Sequence, residues 1–271
     1  MRLQHIIEAV TAQPWLITPA AHASIIALVQ SKLSGVVLDL TDMFPEPEQV
    51  RVENGVGVLP IKGVIGSGLS KLEKSCGAVS VEDIRDGLAA LMPDPECKTI
   101  LLDIDSPGGA VSGIPELAAE IAACDEIKRI YAFTDGQMDS GAYWLASAAR
   151  EIIASPSAEV GSIGVYMPWM DSTAAYAAAG LRVEVIKNTG GTYKGMGIPG
   201  TALTQEQRDH LQQRVDEIFG MFTRAVNTKR TVGADSMRGQ TFMAASAKAA
   251  GLIEQVCTFD TAMMNCTEAI G

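Results

Sequence analysis

Four short apolar runs set the tightest limit on what this chain can fold into: "VGVLPI" (56–61), "KTILLDI" (98–104), "RIYAFT" (129–134) and "EIIAS" (151–155). They are nearly unbroken rather than alternating, the pattern of strands buried on both faces. Segments of helical spacing separate them, among them "VEDIRDGLAALM" (81–92) and "GIPELAAEIAAC" (113–124). Strands alternating with helices at this spacing predict an α/β fold, with a parallel sheet covered by helices on both faces.

The same reading extends to both ends. Ser80 and Asp83 are spaced as a capping box for the helix from residue 81. "STAAYAAAG" (172–180) predicts a helix, "RVEVIK" (182–187) a strand, and "NTGGTYKGMGIPG" (188–200) a loop. The longest helix should start at Thr204, with Gln207 closing a capping box. Leu211, Val215, Ile218, Phe219, Phe222 and Val226 then form one apolar stripe. A last helix–strand pair, "AASAKAAGLIEQVC" (244–257), has Gly251 where a helix C-cap belongs. Residues 1–54 read as an extension, with helical spacing in "HIIEAV" and "HASIIALVQSKL" and a proline-bearing acidic linker in "TDMFPEPEQVRVENG". Residues 55–260 form the main domain and 261–271 a tail.

Composition narrows the function. A net charge of −11 disfavours tracking a phosphate backbone, so no nucleic-acid partner is expected. The five cysteines include no CxxC pair, which fits a reducing compartment and small buried side chains better than disulfides or zinc. No window reaches the ~18–20 continuous apolar residues of a membrane span, and a secretory signal is poorly matched. The expected location is cytoplasmic, with no membrane partner.

In open α/β folds, sites form in loops beyond the carboxyl ends of strands. "DSPGGAV", "TDGQMDSG", "VGSIGV" and "NTGGTYKG" are such loops. The glycine pair Gly108 and Gly109 can bring bare N–H groups to a developing oxyanion, or simply make a tight turn. Ser140 before Gly141 is either the cap of an apolar helix or a nucleophile whose oxyanion Gly141 N–H would share. A base is needed, yet His5 and His22 lie in the extension and His210 on a solvent-facing helix position. Lys194 sits in a glycine-rich loop and is a candidate base or a solvated loop lysine, whereas Lys187 is expected to face solvent. Asp103 and Asp105 lack a further ligand at metal spacing, and Asp105 is more simply the organiser of its turn.

Taken together, "LLDIDSPGG", "MDSGAYWLASAAREIIASPSAEVGSIGV" and "NTGGTYKG" resemble, in order and spacing, the signal peptide peptidase A family of Ser-Lys peptidases. The resemblance runs from about residue 55 to 257. It implies a ClpP/crotonase-like layered spiral and a serine endopeptidase without metal or cofactor. Ser140 matches the nucleophile, Lys194 the general base, Ser162 the serine that helps hold the lysine, and Gly108, Gly109 and Gly141 the oxyanion loop. "AQPWLITPAAHASIIALVQSKL" (12–33) further resembles the phage head-maturation branch, implying a phage scaffold, portal or capsid substrate, a homo-oligomeric ring, and residence in host cytoplasm or prohead. In a closed ring Ser140 and Lys194 should be within hydrogen-bond reach, while a lone chain can leave that loop open. A cellular signal-peptide-type peptidase, a crotonase-like acyl-CoA enzyme and a non-catalytic protein on the same fold are the competing expectations.

Overall fold

The computed structural model describes residues 13–33 and 48–270. The "HIIEAV" helix and the first seven residues of the acidic linker (41–47) expected from sequence lie outside these residues. Strand β1 (Trp15–Ile17) leads into helix α1 (Pro19–Leu33). There follow β2 (Arg51–Glu53), β3 (Val56–Lys62), β4 (Ile65–Gly66), α2 (Lys71–Ser75), β5 (Val79–Ser80) and α3 (Val81–Leu91). The centre holds β6 (Thr99–Asp105), β7 (Gly108–Ala110), α4 (Ile114–Asp125), β8 (Ile130–Thr134), β9 (Gln137–Asp139) and α5 (Gly141–Ser147). Then come β10 (Glu151–Ala154), β11 (Glu159–Gly161), α6 (Thr173–Ala178) and α7 (Gln205–Lys229). The chain closes with β12 (Thr241–Met243), α8 (Ala244–Ala249), β13 (Gln255–Val256) and α9 (Phe259–Glu268).

The four apolar runs form the heart of a six-stranded sheet ordered β13-β10-β8-β6-β3-β2. All its pairings are parallel except β2 with β3. Period-two alternation divides β6 between two cores. Ile100, Leu102 and Ile104 face the main core with α3, α4 and α5, while Leu101 faces a smaller one with Val58 and Phe133. Ala262 and Cys266 of α9 close that second face. Residues 261–268, expected as a tail, are therefore the inner part of a helix that covers the sheet. Two small sheets flank the large one: β1-β7-β4-β5 and β12-β11-β9. An isolated parallel bridge pairs Met138 of β9 with Ser106, just before β7.

The caps form as expected. Ser80 Oγ accepts from Asp83 N–H at 3.0 Å, and the Thr204–Gln207 box is complete in both directions. The stripe on α7 is only partly used: Phe222 and Val226 are buried, whereas Leu211 and Val215 are half-exposed. "RVEVIK" is not a strand, because both edges of the large sheet lie elsewhere and the segment packs on its own loop. Val183 abuts Gly200, and Val185 abuts Gly195. "DSPGGAV" departs in the other direction, since Gly108–Ala110 is a strand rather than a loop. Cys97 and Cys266 are buried, while Cys76, Cys124 and Cys257 are only partly so, and all five are free thiols. No described helix is long and apolar enough to cross a membrane.

Candidate active site

Ser140 is the single residue between strand β9 and helix α5, and it is 1% exposed. Its φ of 52° and ψ of −115° are rare for a residue with a side chain, and its hydroxyl makes no capping bond to the helix. Ser140 therefore stands at the N-cap position through its main chain alone, and the backbone strain at this turn has no compensation from a side-chain cap. The turn is pinned through its main chain instead. Ser140 N–H donates to Gly161 O at 2.8 Å, and Ser140 O accepts from Trp144 N–H at 2.9 Å. A serine held at positive φ on a sharp strand-to-helix turn has the geometry of a nucleophile elbow, here without the G-x-S-x-G sequence.

Helix α5 is buried along its whole length, which fixes the turn from behind. Trp144 stacks on Phe222 at 4.6 Å, and Tyr143 Oη donates to Leu252 O at 2.8 Å. Its carboxyl end is met by two cations. Arg230 donates to Ser147 O and Ala149 O, and Lys229 donates to Ala148 O and Asp125 Oδ2. These bonds satisfy the orphan carbonyls of the last turn.

Beside Ser140 lies the glycine pair. Gly108 has φ +96°, and a Cβ placed there would stand 2.1 Å from Leu16 O and 2.9 Å from Gly141 N. A Cβ at Gly141 would lie 3.2 Å from Leu16 O and 3.5 Å from Gly109 N. One small space is therefore walled by Gly108, Gly109 and Gly141. The N–H of Gly108 is already given to Ser106 Oγ at 3.2 Å. In this structure Gly108 thus contributes chiefly its missing side chain to the space, which Gly109 N and Gly141 N border.

Ser162 follows β11, which pairs parallel to β9 with Gly161 opposite Asp139. It is buried, has φ 50°, and its N–H donates to Gln240 O at 2.8 Å. The structure therefore brings Ser140, Ser162 and the three glycines into one neighbourhood. For Lys194 no contact with these residues is described. It is exposed in the loop after residue 187, and among the described residues no hydrogen bond or ion pair joins it to Ser140 or Ser162. Lys187 is exposed and donates to Thr192 O, and exposed His210 lies tilted against the ring of Tyr193.

The paired carboxylates separate into structural roles. Asp103 accepts from Lys62 Nζ at 2.7 Å, and Asp105 Oδ1 accepts from Gln137 N–H at the turn it organises. Among the described residues no group of three metal-ligating side chains is present.

Two features were not read from sequence. Asp139, directly before Ser140, is 1% exposed and leaves Oδ1 without a hydrogen-bond partner. Burial first, and the charge of Glu159 second, push its carboxyl up to about 7. Its position beside a candidate nucleophile was the available signal. The other is the packing of His22 against the rings of Trp15 and Tyr166.

Comparison with known proteins agrees with this geometry. The model of peptidase family S49 matches residues 122–270, which include Ser140, Ser162 and Lys194. The chain is 29% identical over 258 residues to the head-tail preconnector protein GP5 of Enterobacteria phage P21, covering 88% of this chain and 51% of that protein. It is 34% identical over 184 residues to the capsid assembly protease C of Escherichia phage lambda, covering 67% of this chain and 42% of that protein. The chain thus spans about half the length of these relatives. An enoyl-CoA hydratase from Shewanella pealeana superposes with a TM-score of 0.45 at 12% identity, covering 86% of this chain and 78% of that one; so loose a likeness says nothing about chemistry. The match over more than half its length, together with the strained serine among its glycines, makes this chain a member of peptidase family S49.

Proposed function

We propose that the chain is a serine endopeptidase with a Ser140–Lys194 dyad, acting on capsid, scaffold or portal protein during phage head maturation. The observation that carries the reading is the positive φ of Ser140 on a strand-to-helix turn beside a side-chain-free oxyanion space.

In the proposed reaction Lys194 Nζ takes the Ser140 proton, and Ser140 Oγ attacks a peptide carbonyl carbon. The N–H groups of Gly109 and Gly141 hold the oxygen as its charge develops. Lys194 returns the proton to the leaving amine, and water then releases the acyl group from Ser140. Ser162 positions the lysine. Because Lys194 is exposed and makes no described hydrogen bond to Ser140, the reading requires the loop at 188–200 to bring its amine to the serine, a step that assembly into a homo-oligomeric ring would supply. The phage relatives, one named a capsid assembly protease, support the substrate class.

The test is cleavage of co-expressed phage capsid, scaffold and portal proteins. Wild type should cut at least one of them, and Ser140→Ala and Lys194→Ala should each cut none. Undiminished cleavage by either variant would overturn the dyad.

A further inference from the structure

Strand β1 occupies an unusual position. It lies antiparallel on β7, with Trp15 opposite Ala110, Leu16 opposite Gly109 and Ile17 opposite Gly108. Its other edge is also paired. Trp15 N–H donates to Tyr166 O at 2.8 Å, and Tyr166 N–H donates to Trp15 O at 3.3 Å. An extended segment of this chain therefore fills a slot one strand wide, between the glycine pair and Tyr166. Such strand addition is a common way for an exposed sheet edge to take a peptide.

The register puts one carbonyl in a telling place. With both main-chain polar groups of Trp15 turned to Tyr166, those of Leu16 turn to β7. Leu16 O is the atom nearest to the position of a Cβ on Gly108, at 2.1 Å, and on Gly141, at 3.2 Å. It thus sits in the space walled by the three glycines, beside Gly109 N and Gly141 N. The flanking side chains are fully engaged: Leu16 is 0% exposed, Ile17 2% and Trp15 7%, with Trp15 packed on His22. Beyond the strand, Thr18 N–H donates to Pro107 O at 3.0 Å, continuing the contact along the glycine loop.

We propose that Trp15–Ile17 is a built-in pseudosubstrate, which fills the peptide-binding slot of the S49 site, presents the Leu16 carbonyl to the oxyanion space and holds the enzyme inhibited until it leaves. The proposal rests on the reading of Ser140 as nucleophile. It also names the substrate class: an extended segment with a leucine-sized apolar residue supplying the carbonyl and an aromatic residue before it. A carbonyl already in the oxyanion space excludes any other, so release of β1 and access of substrate are one event.

The test measures the rate at which a fluorophosphonate probe modifies Ser140 in the full chain. Leu16→Glu, which places a charge in a fully enclosed site, should be labelled at least tenfold faster than wild type. A second variant keeps strand and fold together: Trp15→Cys with Ala110→Cys lies at a cross-strand pair without mutual hydrogen bonds. Oxidised, it should be labelled at least tenfold more slowly than after reduction. A free peptide of sequence PWLIT should slow labelling of Leu16→Glu, and the same peptide with aspartate for leucine should not. Equal labelling rates of the oxidised and reduced pair would overturn the pseudosubstrate. Absence of labelling in every protein, or labelling that survives Ser140→Ala, would instead overturn the nucleophile on which it rests.

Discussion

Ser140 and Ser162 end two neighbouring parallel strands with the same backbone signature, φ 52° and 50°, and are joined through the 2.8 Å bond from Ser140 N–H to Gly161 O. Two non-glycine residues in this region, side by side, concentrate strain in one corner of the fold. Strain of this kind is separable from chemistry by substitution. Ser140→Gly relieves the backbone and Ser140→Ala does not, while both remove the hydroxyl. Urea denaturation should show Ser140→Gly more stable than Ser140→Ala by about 1 kcal/mol, with peptidase activity lost in both. Equal stability of the two would show that the turn is not strained.

The two inward-facing glycines should respond differently to a methyl group. At Gly109 a Cβ would stand 1.8 Å from Ile65 O, against the backbone of the neighbouring strand β4. Nothing flexible is available to move, so Gly109→Ala should destabilise by roughly 2–4 kcal/mol. At Gly141 the nearest atom is Leu16 O at 3.2 Å, a contact that a small shift of β1 relieves. Gly141→Ala should therefore stay folded within ~1 kcal/mol of wild type. Thermal denaturation of the two variants compares them directly, and a reversed order would count against the packing described.

Asp139 predicts a pH dependence of stability. Its carboxyl is pushed up from 3.8 to about 7 in the fold, so the native state holds its proton more tightly than the unfolded chain does. The stability linked to that proton is complete at and below pH ~4, declines as pH rises, and is gone above ~7. Asp139→Asn removes this decline. Between roughly pH 5 and pH 8, wild type should lose several degrees of Tm relative to the variant. Parallel Tm profiles would show that the carboxyl ionises normally.

Arg230 is 6% exposed and ties the end of α5 to Glu254 through bonds to Ser147 O and Ala149 O. Arg230→Ala leaves those carbonyls and part of the carboxylate unsatisfied. It should cost roughly 1–3 kcal/mol and lower activity by loosening the helix that follows Ser140. Chemical denaturation checks the first effect; a loss under ~1 kcal/mol would show that water replaces the guanidinium.

What the sequence reveals of this molecule follows the physics of each part. The central strands were legible because Ile100, Leu101 and Leu102 leave no polar face, and buried parallel strands must read that way. Helix α7 was legible from its cap, Thr204 and Gln207, which is local chemistry. The pairing of Leu16 with Gly109 was not, because it joins residues far apart in the chain through main-chain groups that any sequence carries. Strand β7 was hidden for the same reason: "PGG" reads as a turn, and only its neighbours β1 and β4 make it a strand. "RVEVIK" misled because its alternating pattern suits a strand, yet Val183 and Val185 pack on Gly200 and Gly195 of their own loop instead of joining a sheet. At the site, Ser140 and the glycines were singled out by residue type and by the order and spacing of their motifs, whereas the strain at Ser140 is a property of φ that a serine does not announce.

The most direct measurement is an experimental structure of the assembled, active protein after reaction with a fluorophosphonate. The dyad predicts phosphorus bonded to Ser140 Oγ, its free oxygen facing Gly109 N and Gly141 N, β1 displaced from the slot, and Lys194 Nζ within about 3 Å of the adduct. An adduct on any other residue would contradict it, as would Lys194 remaining remote while Lys194→Ala is labelled as fast as wild type.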